Sequence, residues 1–184
     1  MKSKTCCFTG HRTIPKTKLP QIKAELEREI ENLISIGVTR FWAGGALGFD
    51  TLAADTIIRL RESHPEISLF LALPCRNQES RWHSADREHY KNILNNCNAY
   101  IYLSCEYYNG CMHRRNRFMV DNSSHCVAYI SSNKGGTAYT VGYAEHKGIN
   151  VIKLCNEEPD ISGTQIELFC FTQPLIRNFI RPFN

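Results

Sequence analysis

Glycines and polar side chains with anion-binding chemistry follow the first predicted strand. Residues 5–8 are apolar or β-branched, and Thr9-Gly10-His11-Arg12 comes directly after them. Gly10 permits a tight turn, and His11 and Arg12 can donate hydrogen bonds to an anion. The alternative interpretation is an ordinary turn with two exposed polar residues. Because loops carry a large share of binding groups, both interpretations stay open at this point.

Two glycine-rich segments each precede a predicted helix. The first, Gly-Gly-Ala-Leu-Gly-Phe-Asp at residues 44–50, contains Gly44, Gly45, Gly48 and Asp50; the second is Gly135-Gly136-Thr137. Glycines let a backbone approach a phosphate, and a helix N-terminus favours its negative charge. Asp50 can hydrogen-bond a ribose hydroxyl or, alternatively, stabilise the first turn of its own helix. Together with residues 9–12, these segments predict a site for a ligand that carries phosphate groups.

Two further polar segments offer contacts for such a ligand. Gln78 can bind a base edge and Trp82 can stack on the base, although a lone Trp more often anchors its loop to the core. Arg117 and Asp121 are four residues apart and share a helix face. We expect either a phosphate clamp at Arg117 that Asp121 orients, or a structural pair. Cys111 and His113 have no second ligand pair nearby, so no metal site is predicted.

The elements that must position these residues alternate along the chain. Short apolar runs predict strands, and segments of helical period predict helices between them. The predicted strands span residues 5–8, 40–43, 67–73, 99–104, 126–130 and 150–154, and the predicted helices lie within 16–36, 50–60, 85–94, 114–122 and 137–147. This alternation predicts an α/β fold with a mostly parallel sheet and helices on both faces. Ligands bind at the carboxyl ends of the strands in such sheets.

Composition limits the class of protein. The 184 residues predict a single domain, with a core at about residues 4–154 and a tail, 155–184, that packs on it or forms a homo-oligomer contact. No apolar run approaches the ~20 residues of a membrane span, and the first residues lack a signal-peptide pattern. Nine cysteines without a CxxC motif favour a reducing, cytoplasmic location. The net charge of +4 is modest for a dedicated nucleic-acid partner and suits a small phosphorylated ligand equally well.

The motifs taken together resemble the YpsA-like branch of the SLOG superfamily, which groups DNA-processing proteins with LOG-type phosphoribohydrolases. The matching segments are residues 9–12, 44–50, Pro74 with Gln78 and Trp82, 115–121 and 135–137. The resemblance implies a Rossmann-like sheet and a nucleotide ligand related to NAD or ADP-ribose. If the motif positions of the family are transferred to this sequence, the resemblance implies these ligand-binding residues: Gly10, His11, Arg12, Gly44, Gly45, Gly48, Asp50, Arg117, Asp121, Gly135, Gly136 and Thr137.

The same resemblance argues against hydrolysis. LOG-type hydrolases carry PGGxGTxxE with a catalytic Glu, whereas Lys134 stands at the proline position here and the Glu position falls on Thr140 or, in the other alignment, Gly142. We therefore predict a non-catalytic nucleotide sensor or sequestering protein that requires no cofactor. One alternative is a nucleotide-processing hydrolase, whose acid–base candidates are Asp50, Glu79, Asp121 and His11. The other is a single-stranded DNA-binding protein, which the mild charge and sparse aromatic residues disfavour.

Overall fold

Each predicted apolar run forms a strand, and a helix connects each strand to the next. The computed structural model describes residues 2–132 and 134–154. The strands are β1 (Thr5–Gly10), β2 (Arg40–Ala43), β3 (Ser68–Leu73), β4 (Ala99–Tyr102), β5 (His125–Tyr129) and β6 (Asn150–Leu154). The helices are α1 (Leu19–Ser35), α2 (Phe49–Leu60), α3 (Ser84–Asn96), α4 (Cys111–Asp121) and α5 (Gly136–His146).

The strands form one parallel sheet in the order β4-β3-β2-β1-β5-β6. The chain moves outward from β1 to β4 and then returns to the other side of β1, where Gly10 is the register partner of Tyr129. The strand order therefore reverses between β1 and β5. This is a Rossmann-like α/β fold, as the sequence predicts.

Helices cover the sheet on both faces. Successive strand residues point to opposite faces, so Phe8 and Cys7 of β1 belong to different cores. The larger core packs α1, α2 and α3 on one face, and the smaller core packs α4 and α5 on the other. In α1 the buried residues recur at helical spacing, which fixes the face that this helix presents to the sheet: Ile22, Leu26, Ile30 and Leu33.

Tertiary contacts shift several boundaries from the predicted positions. β1 continues to Gly10 instead of ending at residue 8, because β5 pairs with it over this stretch. β4 lies at the sheet edge and ends at Tyr102, where its pairing with β3 ends, rather than at residue 104. α4 begins at Cys111, three residues before the predicted start, because Gly110 adopts φ +95° and directs the chain into the helix. The predicted tail, 155–184, lies outside the described residues.

Within the described ranges, no helix combines the length and apolar character that crossing a membrane requires.

The buried face of α1 makes a measurable contribution to the free energy of unfolding. Ile30→Ala removes a fully buried side chain, and we expect it to lower the free energy of unfolding by about 2–5 kcal/mol through lost burial and the resulting cavity. Ile36, which is 68% exposed just beyond the same helix, gives the matched control: Ile36→Ala should change stability by less than about 0.5 kcal/mol. Urea unfolding measures both. Equal losses in the two variants would contradict this packing of α1.

Candidate functional site

A cavity of about 320 Å³ lies at the carboxyl end of β1, beside the point where the strand order reverses. Ligands of open α/β sheets occupy this position, because the two connections leave towards opposite faces and open a crevice. The lining residues come from β1 and its loop, the starts of α2 and α5, and one face of α4. They are Phe8, Thr9, Gly10, His11, Arg12, Ala46, Asp50, Met112, Arg115, Asn116, Met119, Gly136 and Thr137. We call this the inner cavity.

His11 connects the two sides of the crevice. The backbone N–H of Ser131, after β5, donates to His11 Nε2 at 2.9 Å, and the His11 ring meets the Tyr129 ring edge-on. In this arrangement Nε2 acts as an acceptor, so a hydrogen bond from His11 to an anion would come from Nδ1. The imidazole therefore fixes the loop after β1 against the loop after β5.

The segment at residues 44–50 packs tightly beneath the inner cavity. A Cβ atom at Gly44 would overlap the Arg115 guanidinium, so a larger residue there would have to displace this guanidinium from its place beside Asp50. Gly48 has φ +80° and lies against the backbone carbonyl of Arg12, and the N–H of Phe49 donates to the carbonyl of His11 at 3.1 Å. These glycines thus hold the start of α2 against the loop after β1, and Ala46 is the residue between them that reaches the cavity wall.

A buried ion pair forms part of the cavity wall. Arg115 Nη1 lies 3.4 Å from Asp50 Oδ2, and both side chains are almost fully buried. The N–H of Ala46 also donates to Asp50 Oδ2. Burial raises the pKa of Asp50 above its ordinary value, and the Arg115 charge together with two backbone N–H groups offsets part of that rise. Burial likewise lowers the pKa of Arg115, which the Asp50 carboxylate opposes.

Hydrogen bonds extend from this pair to α5. Arg115 Nε donates to Asn116 Oδ1, and Asn116 Nδ2 donates to Thr140 Oγ1, both at 2.7 Å. The Thr140 hydroxyl donates in turn to the carbonyl of Gly136, also at 2.7 Å. A continuous chain of polar contacts therefore runs from α2 through α4 to the first turn of α5 and orients the cavity wall.

A second cavity, of about 480 Å³, adjoins the first, and we call it the outer cavity. Arg12 and Met112 line both cavities, so the two open beside each other. The remaining lining residues come from the segments after β3 and β4: Cys75, Asn77, Gln78, Ser80, Arg81, Trp82 and Tyr107.

Gln78 and Trp82 have internal contacts as well as a place in the outer cavity. Gln78 Nε2 donates to the carbonyl of Gly45 and to the Tyr90 hydroxyl, each at 3.0 Å, which ties two loops together. Trp82 packs edge-on against the Tyr90 ring at 5.4 Å between centroids. Burial raises the pKa of that Tyr90 hydroxyl, which keeps it protonated.

The structure brings most of the predicted residues together but separates others. Gly10, His11, Arg12, Asp50, Gly136 and Thr137 line the inner cavity. Gly135, with φ +92°, immediately precedes α5. Arg117 is exposed further along α4, and Asp121 accepts hydrogen bonds from Tyr143 and pairs with Lys147 at 3.7 Å. Glu79, in the segment after β3, has one buried carboxylate oxygen without a partner among the described residues.

Sequence reasoning missed Arg115 and Asn116, although a signal for Arg115 was present. Cys111, Arg115 and Met119 recur every four residues, and all three are buried on the inward face of α4. Arg117 and Asp121 belong to a different face of that helix. Among residues 2–132 and 134–154, no three His, Cys, Asp or Glu side chains cluster closely enough to hold a metal ion.

The model of the YspA SLOG family matches residues 7–153. This chain belongs to that family. An uncharacterised SPbeta prophage-derived protein, YoqJ of Bacillus subtilis, is 30% identical over 138 residues, which is 68% of this chain and 81% of that protein. A UPF0398 protein of Halalkalibacterium halodurans is 32% identical over 118 residues; the match covers 63% of this chain and 62% of the relative, so more than a third of that relative lies outside it.

Solved structures share the fold. DNA processing protein A (DprA) from Streptococcus pneumoniae superposes with a TM-score of 0.62 at 14% identity, over 83% of this chain and 50% of that one. DprA from Helicobacter pylori, which binds single-stranded DNA, superposes with a TM-score of 0.60 at 17% identity, over 83% and 65% of the two chains. At these identities the likeness shows the architecture alone.

The buried ion pair predicts a pH-dependent defect. Arg115→Met leaves the Asp50 carboxylate buried without its partner, and we expect the free energy of unfolding to fall by about 3–5 kcal/mol. The pKa of Asp50 is raised in the folded state, so the folded protein keeps the proton of the Asp50 carboxyl group to a higher pH than the unfolded chain does. The free energy of unfolding therefore falls as the pH rises from the ordinary pKa of an aspartate towards the raised pKa of folded Asp50, and it falls more steeply in the variant.

Urea unfolding at about pH 5 and about pH 8 measures the effect, which should be larger at about pH 8. The double variant Asp50→Asn/Arg115→Met removes both charges and should recover part of the loss. Arg28→Met, at an exposed arginine of α1, is the matched control and should change stability by less than about 0.5 kcal/mol. A loss that is the same at both pH values would contradict the buried-carboxylate explanation.

Proposed function

We propose that this protein binds a phosphorylated nucleotide, with its phosphate in the inner cavity between Arg12 and the N-terminus of α5. The observation that carries the proposal is the meeting of these two groups in one cavity at the strand-order reversal. Gly136 and Thr137 form the first turn of α5 and line the cavity. Backbone N–H groups at a helix start and an arginine side chain are both favourable partners of a phosphate.

The charge of Arg12 supports this assignment. Arg12 is exposed, and no carboxylate of residues 2–132 or 134–154 lies within ion-pair distance of its guanidinium. Arg115, by contrast, is paired with Asp50 and buried. A negatively charged ligand would therefore meet the unpaired arginine first, while the paired one supports the cavity wall.

The outer cavity suits the nucleoside part of the ligand. Trp82 and Tyr107 supply aromatic rings and Arg81 a planar cation, all of which stack on bases. Because Arg12 lines both cavities, a ligand with two connected halves can occupy them together. For this reason our proposal extends to an NAD- or ADP-ribose-type molecule as the ligand class.

We propose a sensor or sequestering role rather than turnover. The position of the hydrolase glutamate in one of the two motif alignments is Thr140, whose hydroxyl donates to Gly136 and accepts from Asn116. Asp50 is the carboxylate in the inner lining, and Arg115 pairs with it. Neither Thr140 nor the paired Asp50 supplies the free carboxylate that the hydrolase motif provides, which favours binding without cleavage.

Removing the charge of Arg12 tests the phosphate contact. Titration calorimetry with AMP, ADP, NAD, NADP, ADP-ribose and cyclic ADP-ribose should give at least one measurable Kd for the wild type. Arg12→Gln should weaken that Kd by about 10- to 100-fold, since a hydrogen bond to a charged group contributes ~1.5–3 kcal/mol. The matched control Arg28→Gln, on α1, should bind like the wild type. A panel in which no compound binds, or unchanged affinity in Arg12→Gln, would contradict the proposal.

Single-stranded DNA binding is the second candidate, because a structural neighbour binds this ligand. Tyr107, which is 64% exposed, lines the outer cavity together with Arg81, and the next residue, Tyr108, is 42% exposed. Exposed aromatic rings and arginines are the groups on which unpaired bases stack. The exposed tyrosines and Arg81 therefore support nucleic-acid binding more strongly than the modest net charge of the chain does.

Fluorescence anisotropy with labelled oligothymidylate distinguishes this candidate from the first. If DNA binds here, Tyr107→Ala should weaken affinity about 5- to 100-fold, as expected for one lost stacking contact of ~1–3 kcal/mol, and added salt should weaken it further. Tyr100→Ala, at an exposed tyrosine of the edge strand β4, is the matched control and should have no effect. An oligonucleotide that fails to bind even at low salt would exclude this candidate.

A further inference from the structure

The edge strand β4 exposes apolar side chains on both of its faces. Tyr100 is 51% exposed on the face of the larger core, and Ile101 is 41% exposed on the face of the smaller core. Parallel sheets are normally covered on both faces. Ala99–Tyr102 also contains no charged residue and no proline, which are the residue types that protect an edge from further pairing. β4 is therefore an edge that another strand can join.

Among the described strands, β6 forms the other edge of the sheet, and it differs from β4. β6 carries Lys153, whose ammonium lies 2.8 Å from the Glu145 carboxylate of α5. Its Val151 and Ile152 pack against the smaller and the larger core. A lysine is a common protection of a sheet edge. Exposed apolar side chains without a protecting charge are thus specific to β4.

The outer side of β4 offers backbone groups for pairing. β4 runs parallel to β3, and just beyond its end the N–H of Leu103 donates to the carbonyl of Leu73 at 2.9 Å. The backbone groups of successive strand residues point to alternate sides, so Ile101, which is in phase with Leu103, bonds to β3. Tyr100 and Tyr102 therefore direct their N–H and C=O groups away from the sheet.

We propose that β4 pairs antiparallel with β4 of a second copy of this chain, about a two-fold axis at Ile101. An axis perpendicular to the sheet keeps each side chain on its own face, so residues opposite each other must share a face. An axis at Ile101 meets this condition, since Ile101 lies opposite itself and Tyr100 lies opposite Tyr102 of the second copy. The two tyrosines then exchange backbone hydrogen bonds, which pairs the groups that point away from β3.

The order of residues around Ile101 suits a second copy as the partner. Tyr100 and Tyr102 flank Ile101, and Ala99 and Leu103 come next, so the pattern reads alike in both directions. An antiparallel copy therefore places tyrosine opposite tyrosine and aliphatic opposite aliphatic, and such cross-strand pairs stabilise a sheet. Within one copy the rings of Tyr100 and Tyr102 already meet edge-on, with 5.6 Å between their centroids.

The charges at the two ends of β4 are complementary in this arrangement. At the amino end, the Arg61 guanidinium donates to Asn98 Oδ1 at 3.0 Å. Glu106, which is exposed, follows the carboxyl end, where Arg76 lies over the Tyr102 ring at 5.4 Å. Because the strands run antiparallel, the end with Arg61 lies beside the end of the second copy with Glu106. The two-fold axis creates this juxtaposition twice.

The small area of the contact determines its strength. Strands of four residues bury less surface than the ~1,200–2,000 Å² of stable specific interfaces, so we expect a dimer that depends on protein concentration. The antiparallel junction directs the carboxyl edges of the two sheets in opposite directions, and each inner cavity is lined by one copy alone. Dimer formation is therefore tested without any nucleotide and does not rest on the proposed function.

Sedimentation velocity of the full chain tests the dimer. As the concentration rises from about 2 to about 200 μM, the wild type should shift from 21.1 kDa towards twice this mass. Ile101→Lys should stay monomeric over this range, because two like charges meet at the axis. Ile36→Lys, at the exposed isoleucine after α1, is the matched control and should dimerise like the wild type. A wild type that stays monomeric, or an Ile101→Lys variant that dimerises equally well, would overturn the proposal.

Mixing two variants tests the position of the axis. Ile101→Glu alone should be monomeric, as Ile101→Lys is. An equimolar mixture of the two should form a heterodimer, because an axis at residue 101 places the lysine of one copy opposite the glutamate of the other. A mixture that stays monomeric would overturn this register.

Hydrogen exchange of the wild type gives a result that depends on no variant. The N–H groups of Tyr100 and Tyr102 become bonded in the dimer, so the peptide containing β4 should exchange at least about threefold more slowly at the high concentration than at the low one. The interior strand β2 should exchange alike at both. Exchange of β4 that is independent of concentration would overturn the pairing.

Discussion

The ion pair between Asp50 and Arg115 is the contact on which the candidate site depends. The two residues belong to α2 and α4, which pack on opposite faces of the sheet, so their contact passes over the carboxyl edge of the strands. Gly44 must lack a side chain to leave room for the guanidinium. The hydrogen bonds that continue to Thr140 add α5 to the same unit. Three helices are therefore fixed around the cavity by one polar network, which apolar packing on either face alone could not achieve.

This network divides the polar groups of the site into two kinds. Asp50, Arg115, Asn116 and Thr140 use their hydrogen-bonding capacity on one another and hold the shape of the wall. The Arg12 guanidinium and the backbone N–H groups of Gly136 and Thr137 have no such partner among the described residues, and all three residues line the cavity. The helix holds the N–H groups at the start of α5 in place, so they lose little conformational entropy when a ligand binds, whereas the exposed Arg12 side chain is ordered only by the ligand. The arrangement suits an anion that meets fixed N–H groups on one side and an adaptable cation on the other.

The sequence predicts where the strands lie more accurately than where they end. It also indicates the loops around the inner cavity more clearly than the buried polar residues that form the cavity wall. β2 and β6 have the predicted bounds, because their apolar runs are bordered by residues of different character. The end of β1 depends on pairing with β5, which local sequence does not contain. The glycine-rich segments and residues 9–12 contain residue types that favour turns, so these loops can be recognised in the sequence. Arg115 stands between Arg114 and Arg117 in the sequence, and only its four-residue spacing from Cys111 and Met119 indicates an inward side chain.

The hydrogen bond between His11 and Ser131 joins the first loop of the fold to one of the last. The crevice consequently has a high contact order, and a nascent chain cannot complete it until β5 has been synthesised and has docked beside β1. A ligand that bridges the two loops would recognise only the finished domain. Its binding energy would then stabilise the whole sheet rather than one loop, because the unfolded chain offers no competing site. Occupancy of the crevice would thus report that folding is complete.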